Sequence, residues 1–295
     1  MKPPPVLYHR ATSTADAVQA LAAAGEGDGE AKVLAGGQSL IPLMSMRLAR
    51  PSTLVDINGL AELDYIRREG GRLRIGALTR HRTVELSPEV RDAAPLLAEA
   101  MRFVGHVPIR HRGTIGGSAA HSDPAAEIPA VLTALDAELV INGPAGVRTV
   151  TAADFFIGFL ATLLEPDELL TEIRVPVQPA GTSCAVEELA RRHGDFAIVA
   201  VFAALVVDGD GRCSDARLGV AGANPAPLRA REAEAALVGT TLTDEVIDQA
   251  AAAVAAATES VDDIHAPAAY RRDMAALLTG RALRRAASGT NAHPS

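Results

Sequence analysis

Cysteine is nearly absent: Cys184 and Cys213 are the only two in 295 residues. Two thiols are too few for the thiolate set of an iron–sulfur cluster. They form no C-x-x-C pair, and no H-E-x-x-H spacing occurs, so a structural or hydrolytic zinc site has no support. A chain of this length needs no disulfide staples, and both cysteines are expected to be small buried residues. Lysine is equally scarce. Lys2 and Lys32 stand against a large arginine complement, which with the abundant alanine reads as genome composition. Aromatics make up 3%, so Phe155, Phe156 and Phe159 form the largest aromatic cluster and are expected in the core. No window approaches about 18 consecutive apolar residues, which argues against a membrane span. Residues 1–10 hold three prolines and no apolar stretch of signal-peptide type, so the expected location is the cytoplasm. The net charge of -8 argues against nucleic acid as a partner.

What is present is a folded chain, 48% apolar and 22% charged, long enough for two domains. Val6-Leu7-Tyr8 reads as a strand after Pro3-Pro4-Pro5. Thr14 is the expected N-cap of a helix over 15–24, stopped by Gly25, with a polar loop over 25–29. Strands are expected at 32–35, 53–57, 65–68 and 72–75, with short helical turns at 40–47. Thr79 is expected to cap a helix ending near Ser87, and Pro88 to Met101 to form another. Val107 to Arg112 is not expected to be helical. Pro124 suits the first turn of a helix running to Leu135, with Asp123 as its N-cap. A hairpin is expected over 138–150 and a strand over 168–175.

Two prolines and a glycine between Pro176 and Thr182 mark a boundary. Residues 184–191 and 197–207 are apolar-rich, and for the second periodicity leaves strand and buried helix open. A strand over 216–221 follows. Helices are then expected over 230–238, 244–258 (capped by Thr243) and 268–287, with a frayed tail over 288–295.

Two small-residue loops stand out. Ala35-Gly36-Gly37-Gln38-Ser39-Leu40-Ile41 follows a short apolar strand. Arg112-Gly113-Thr114-Ile115-Gly116-Gly117-Ser118 precedes the Pro124 helix. Glycine lets a backbone approach a ligand closely, and successive N–H groups surround an anion. The pair suggests two walls of one diphosphate site. Neither loop is G-x-G-x-x-G or G-x-x-x-x-G-K-[ST], so the Rossmann and P-loop readings lose their main support. His121, alone in a loop, reads as structural before catalytic. Arg110, His111 and Arg112 form a basic cluster that is either solvated or turned to a phosphate or partner. Arg191-Arg192 is similar.

Leu34-Ala35-Gly36-Gly37-Gln38-Ser39-Leu40-Ile41-Pro42, Arg112 to Ser118, Asp123-Pro124-Ala125-Ala126-Glu127-Ile128-Pro129, Leu163-Leu164 and Arg191 to Ala197 occur in one order. That set resembles the FAD-binding medium subunit of molybdenum hydroxylases, the carbon-monoxide dehydrogenase and xanthine dehydrogenase type. The resemblance covers nearly the whole chain. It implies an α+β architecture: a two-subdomain FAD-binding fold of the vanillyl-alcohol-oxidase type over residues 1–176 (about 1–58 and 59–176). A C-terminal domain over 182–287 would pack a small antiparallel sheet with a helix cluster. By the same resemblance, Leu34, Ala35, Gly36, Gly37, Gln38, Ser39, Leu40 and Ile41 line the diphosphate and adenosine side of FAD. Thr114, Ile115, Gly116, Gly117 and Ser118 supply a second set of backbone donors. Glu127, standing where Asp is common, bonds ribityl or ribose hydroxyls. Val104, Leu163 and Leu164 complete the cofactor contacts, and Phe196 covers one flavin face.

The implied activity is electron transfer. Electrons would arrive from a 2Fe-2S small subunit, fed by a molybdenum-cofactor large subunit, and leave to NAD, oxygen or a quinone. Two other readings remain at this point: a self-contained flavin oxidoreductase of the same fold, and a non-catalytic nucleotide-binding assembly subunit.

Overall fold

The computed structural model describes residues 2–25 and 30–289. Residues 26–29 of the expected polar loop and 290–295 of the expected tail lie outside the described residues. The chain begins with β1 (Leu7–Arg10), α1 (Thr14–Gly25), β2 (Ala31–Leu34), α2 (Leu40–Ser45) and β3 (Thr53–Asp56). These strands form a parallel sheet in the order β1-β3-β2. Ala17, Val18 and Leu21 fall on one face of α1 and pack with Val55, Ile57, Leu60 and Leu63. Ser13, not Thr14, caps α1: its hydroxyl accepts from the Asp16 N–H at 3.1 Å.

Next come β4 (Ile66–Glu69), β5 (Arg72–Gly76), α3 (His81–Leu86), α4 (Pro88–Ala93), α5 (Pro95–Ala100), α6 (Val107–Arg112), α7 (Ile115–His121) and α8 (Glu127–Ala134). Then follow β6 (Glu138–Gly143), β7 (Gly146–Thr151), α9 (Ala152–Phe155), the small pair β8 (Phe156–Gly158) and β9 (Ala161–Thr162), and β10 (Leu169–Pro176). The five-stranded sheet runs β4-β5-β10-β6-β7, antiparallel throughout. Its buried face meets α5, α7 and α8 in the largest core.

Several local expectations change here. Val107–Arg112 is helical because Pro108 sits in the first turn, where no N–H is required of it. The stretch 88–101 divides at Pro95, which holds Ala94 at φ -143 and ψ 66, outside the helical region. Thr79 does not cap α3; its hydroxyl donates to the Tyr65 carbonyl, and Arg80 takes the cap position. The glycine loop at 115–121 is itself a helix, ended by Ser122 in the left-handed region at φ 52. Asp123 caps a turn instead of a helix, accepting from the Ala125 N–H at 2.9 Å, and α8 starts only at Glu127. Phe155 and Phe156 are core residues, but Phe159 is 69% exposed.

The last part holds β11 (Ser183–Ala190), β12 (Ala197–Val207), β13 (Cys213–Ala221), β14 (Leu228–Arg229), α10 (Arg231–Leu237), α11 (Asp244–Ala256) and α12 (Ala268–Ala287). Its antiparallel sheet is ordered β11-β12-β13-β14. On β12, Val199, Val201, Ala203 and Leu205 face the three helices, while Ala200, Phe202 and Ala204 enter the core of the preceding half. Burial on both faces explains the continuous apolar run that periodicity left open. Thr243 caps α11 by accepting from the Val246 N–H. Cys184 and Cys213 are buried and unpaired.

Candidate functional site

A cleft of about 800 Å³ opens where the loop after β2 meets the start of α7. Parallel pairing with β3 aims β2 at this point, and the Asn58 side-chain amide donates to the carbonyls of Leu34 and Ala35, which pins the strand end. Gln38 folds back to donate to the Gly36 carbonyl at 3.1 Å. Gly37 has φ +71, a conformation natural to glycine. Among the described residues, the backbone N–H groups of Gly36, Gly37, Gln38, Ser39 and Leu40 have no protein acceptor. All of these residues line the cleft. Successive N–H groups around a positive-φ glycine make a concave donor surface suited to an anion.

The other glycine wall is built differently. Thr114 caps α7, and its hydroxyl accepts from the Gly117 N–H at 3.1 Å. The Ile115 N–H donates to the Thr79 carbonyl, that of Gly116 to Ala77, and that of Ser118 to Thr114. Of the expected second set of backbone donors, those of Ile115, Gly116, Gly117 and Ser118 are engaged inside the protein. The glycines serve close packing: a Cβ on Gly116 would come within 2.5 Å of the Ala77 Cβ. Gly36 meets this wall directly, since a Cβ there would fall on the Arg112 carbonyl oxygen. Ser118 still lines the cleft.

Glu127 opens α8 on the cleft wall and is 6% exposed. Burial pushes its carboxyl up to about 7, against support from its own backbone N–H and the distant Arg110 charge. Arg110 itself is buried, paired to Glu85 at 2.8 Å and bonded to the carbonyls of Val104 and Gly105. It is a structural residue, and the expected cluster divides around it, with His111 and Arg112 exposed. Arg191 reaches the Ile264 carbonyl. His81 also lines the cleft; neither ring nitrogen has a hydrogen-bond partner, and burial lowers it to about 4. His121 ends α7 on the wall, half-buried and lowered by that burial.

Val104, Leu164 and Phe196 line the far part of the cleft, and Phe196 is 61% exposed at its edge. Gly194 shapes this edge. It has φ +82 and packs on the His106 ring, which meets His193 edge-on at 6.1 Å. Of the residues expected to hold the cofactor, Ala35, Gly36, Gly37, Gln38, Ser39, Leu40, Thr114, Gly116, Gly117, Ser118 and Glu127 also line the cleft. Leu34, Ile41, Ile115 and Leu163 do not. Ile115 points into the core, Leu34 and Ile41 flank Gly37 from behind, and Leu163 is exposed beside the opening. Lys32, His81, Thr162 and Asp195 line it without having been anticipated. No motif marks them; they arrive because strand ends and helix starts converge there.

The donor run fits a diphosphate, the Glu127 carboxylate and Ser118 hydroxyl fit polyol hydroxyls, and the apolar far wall fits a ring system. These features suit FAD. Residues 4–178 match the FAD binding domain in molybdopterin dehydrogenase, and residues 184–286 match the CO dehydrogenase flavoprotein C-terminal domain. The carbon monoxide dehydrogenase medium chain of Afipia carboxidovorans is 42% identical, over 95% of this chain and 96% of that one. The 6-hydroxypseudooxynicotine dehydrogenase complex subunit alpha of Paenarthrobacter nicotinovorans is 40% identical, over 97% and 96%. A solved carbon monoxide dehydrogenase from Hydrogenophaga pseudoflava superposes with a TM-score of 0.93 at 42% identity, covering 98% of this chain and 99% of its own. Matched in sequence and structure over nearly its whole length, the chain belongs to the FAD-binding medium subunits of the molybdenum hydroxylases.

Proposed function

We propose that this chain takes electrons from a 2Fe-2S subunit of a molybdenum hydroxylase complex and passes them to an external acceptor such as NAD, oxygen or a quinone. The bound flavin supplies the redox chemistry, which no side chain here offers. Residues 1–176 form the FAD-binding portion and 182–287 the C-terminal portion. The N–H groups from Gly36 to Leu40 hold the diphosphate, and Glu127 and Ser118 accept or donate to hydroxyls along the linker. Val104 and Leu164 give an apolar wall that excludes water from the ring. Phe196, exposed at the opening, limits which acceptors approach. The molybdenum and iron–sulfur centres belong to other chains, in keeping with only two cysteines here, both buried. The unpaired thiols also suit a cytoplasmic setting.

The observation that carries this reading is the run of unengaged N–H groups on the cleft wall. An absorbance spectrum of the purified chain, followed by heat release and identification of the nucleotide, tests it. Flavin bands with release of FAD support the assignment. A colourless chain that also takes up no added FAD refutes it.

A further inference from the structure

A buried arginine of the C-terminal part lies outside the cleft, yet its hydrogen bonds lead to two of the cleft's walls. Arg271, near the start of α12, is 6% exposed. Its Nη1 donates to the Ile198 carbonyl at 2.6 Å and to the Gly222 carbonyl at 2.8 Å. Its Nη2 donates to the Asp263 carboxylate at 2.7 Å. Asp263 is fixed in turn, because its other oxygen accepts from the His265 and Ala266 N–H groups. The planar guanidinium holds these acceptors in one arrangement.

The Ile198 carbonyl belongs to the strand that starts beside Phe196. The β12–β13 ladder ends at the Ala200–Ala221 pair, and beyond it Arg271 joins the two chains. Gly222 makes that junction close. It has φ +77, and a Cβ there would lie 2.4 Å from the Ile198 carbonyl oxygen. The turn between β11 and β12 is tied to the segment that carries Asp263, since Arg191 donates to the Ile264 carbonyl at 3.2 Å. Phe196 ends that turn and lines the cleft.

Gly222 reaches the other wall through its own N–H, which donates to the Pro124 carbonyl at 2.7 Å. Pro124 stands in the turn that feeds α8, whose first residue is Glu127. α8 also rests on β13 directly: a Cβ on Gly219 would come within 2.6 Å of the Ala130 carbonyl oxygen. Gly222 is therefore bonded to the Glu127 turn on one side and to Arg271 on the other.

We propose that Arg271 is a positioning residue for the flavin site, holding the Glu127 turn and the Phe196 strand start in one fixed relation. It acts through Gly222 and Ile198 and does not itself line the cleft. This rests on the FAD reading above, in which Glu127 bonds cofactor hydroxyls and Phe196 limits acceptors. It gives β13 and α12, whose residues line no part of the cleft, control over two residues that do. Without the guanidinium, both carbonyls lose a charged donor, which is worth more than a neutral one.

The test uses the full-length chain and two readouts. One is the FAD dissociation constant of the flavin-stripped protein, followed by flavin fluorescence. The other is the stopped-flow rate at which 1,4-naphthoquinone reoxidises the photoreduced flavin, divided by the rate with oxygen. Arg271→Met keeps the stem and removes the donors. It should weaken FAD binding about tenfold and raise the rate ratio roughly threefold, because a displaced Phe196 ring admits the bulkier acceptor. Asp263→Asn keeps both carbonyl bonds and should leave both readouts near wild type. A merely structural Arg271 would lower the denaturation midpoint and move neither. If Arg271→Met does not fold, Arg271→Lys, a shorter cation, should shift both readouts the same way by less. A folded variant with wild-type affinity and ratio overturns the proposal, as does one in which a single readout moves. A wild type that binds no FAD overturns the FAD reading as well; one that binds FAD leaves that reading standing whichever way the variants fall.

Discussion

Gly36-Gly37-Gln38-Ser39 and Gly116-Gly117-Ser118 carry the same residue types, yet their backbone donors have opposite fates. In the first, the N–H groups belong to cleft-lining residues and have no acceptor among the described residues. In the second, each is taken by a carbonyl or hydroxyl of the fold. A glycine pair therefore signals close approach, and only the surrounding acceptors decide whether it also signals an anion site. The two segments touch at Gly36, so one wall's geometry depends on the other's packing.

The largest expected effect comes from breaking that contact. Gly36→Val places a side chain on the Arg112 carbonyl and should part the walls. Flavin content should vanish, and chemical denaturation should show a loss of about 3 kcal/mol. Normal flavin content would show that the walls need not touch. Gly37→Ala comes next, because φ +71 at that position costs a non-glycine residue roughly 1–2 kcal/mol. FAD titration should show about tenfold weaker binding if that strain falls on the donor run. The smallest effect should come from Thr114→Val, which removes the acceptor for the Gly117 N–H. Stability should fall by about 1 kcal/mol, the worth of a lost helix cap, with FAD affinity nearly unchanged. A larger loss of affinity than of stability would mean that the Gly117 N–H also serves the ligand, and the contrast between the walls would weaken.

Much of the fold was legible in local pattern. The β6–β7 hairpin, the Thr243 cap and the three C-terminal helices follow from turn residues, a hydroxyl at the right offset and apolar spacing. Local pattern failed where a tertiary partner changed the meaning of a residue. Val107 to Arg112 read as non-helical and is a helix, with Pro108 in its first turn. Thr79 looked like a cap, but Tyr65 engages its hydroxyl. In the site, the first loop was readable because strand and glycine turn are adjacent in sequence. His81 was not, because nothing near it in the chain marks a cleft.

The sequence by itself determined the family, through an ordered set of short motifs, and with it the kind of cofactor. It also argued against a four-thiolate iron–sulfur cluster on these residues, because the cysteines are too few. Only the tertiary structure decided which backbone donors remain available and which carboxyl is buried on the cleft wall. The acceptors that occupy the α7 donors belong to Ala77, Thr79 and Thr114, and the Glu127 carboxyl is buried where α8 meets the cleft. Those groups meet through folding, and a hydrogen bond or a charge acts through space, not along the chain.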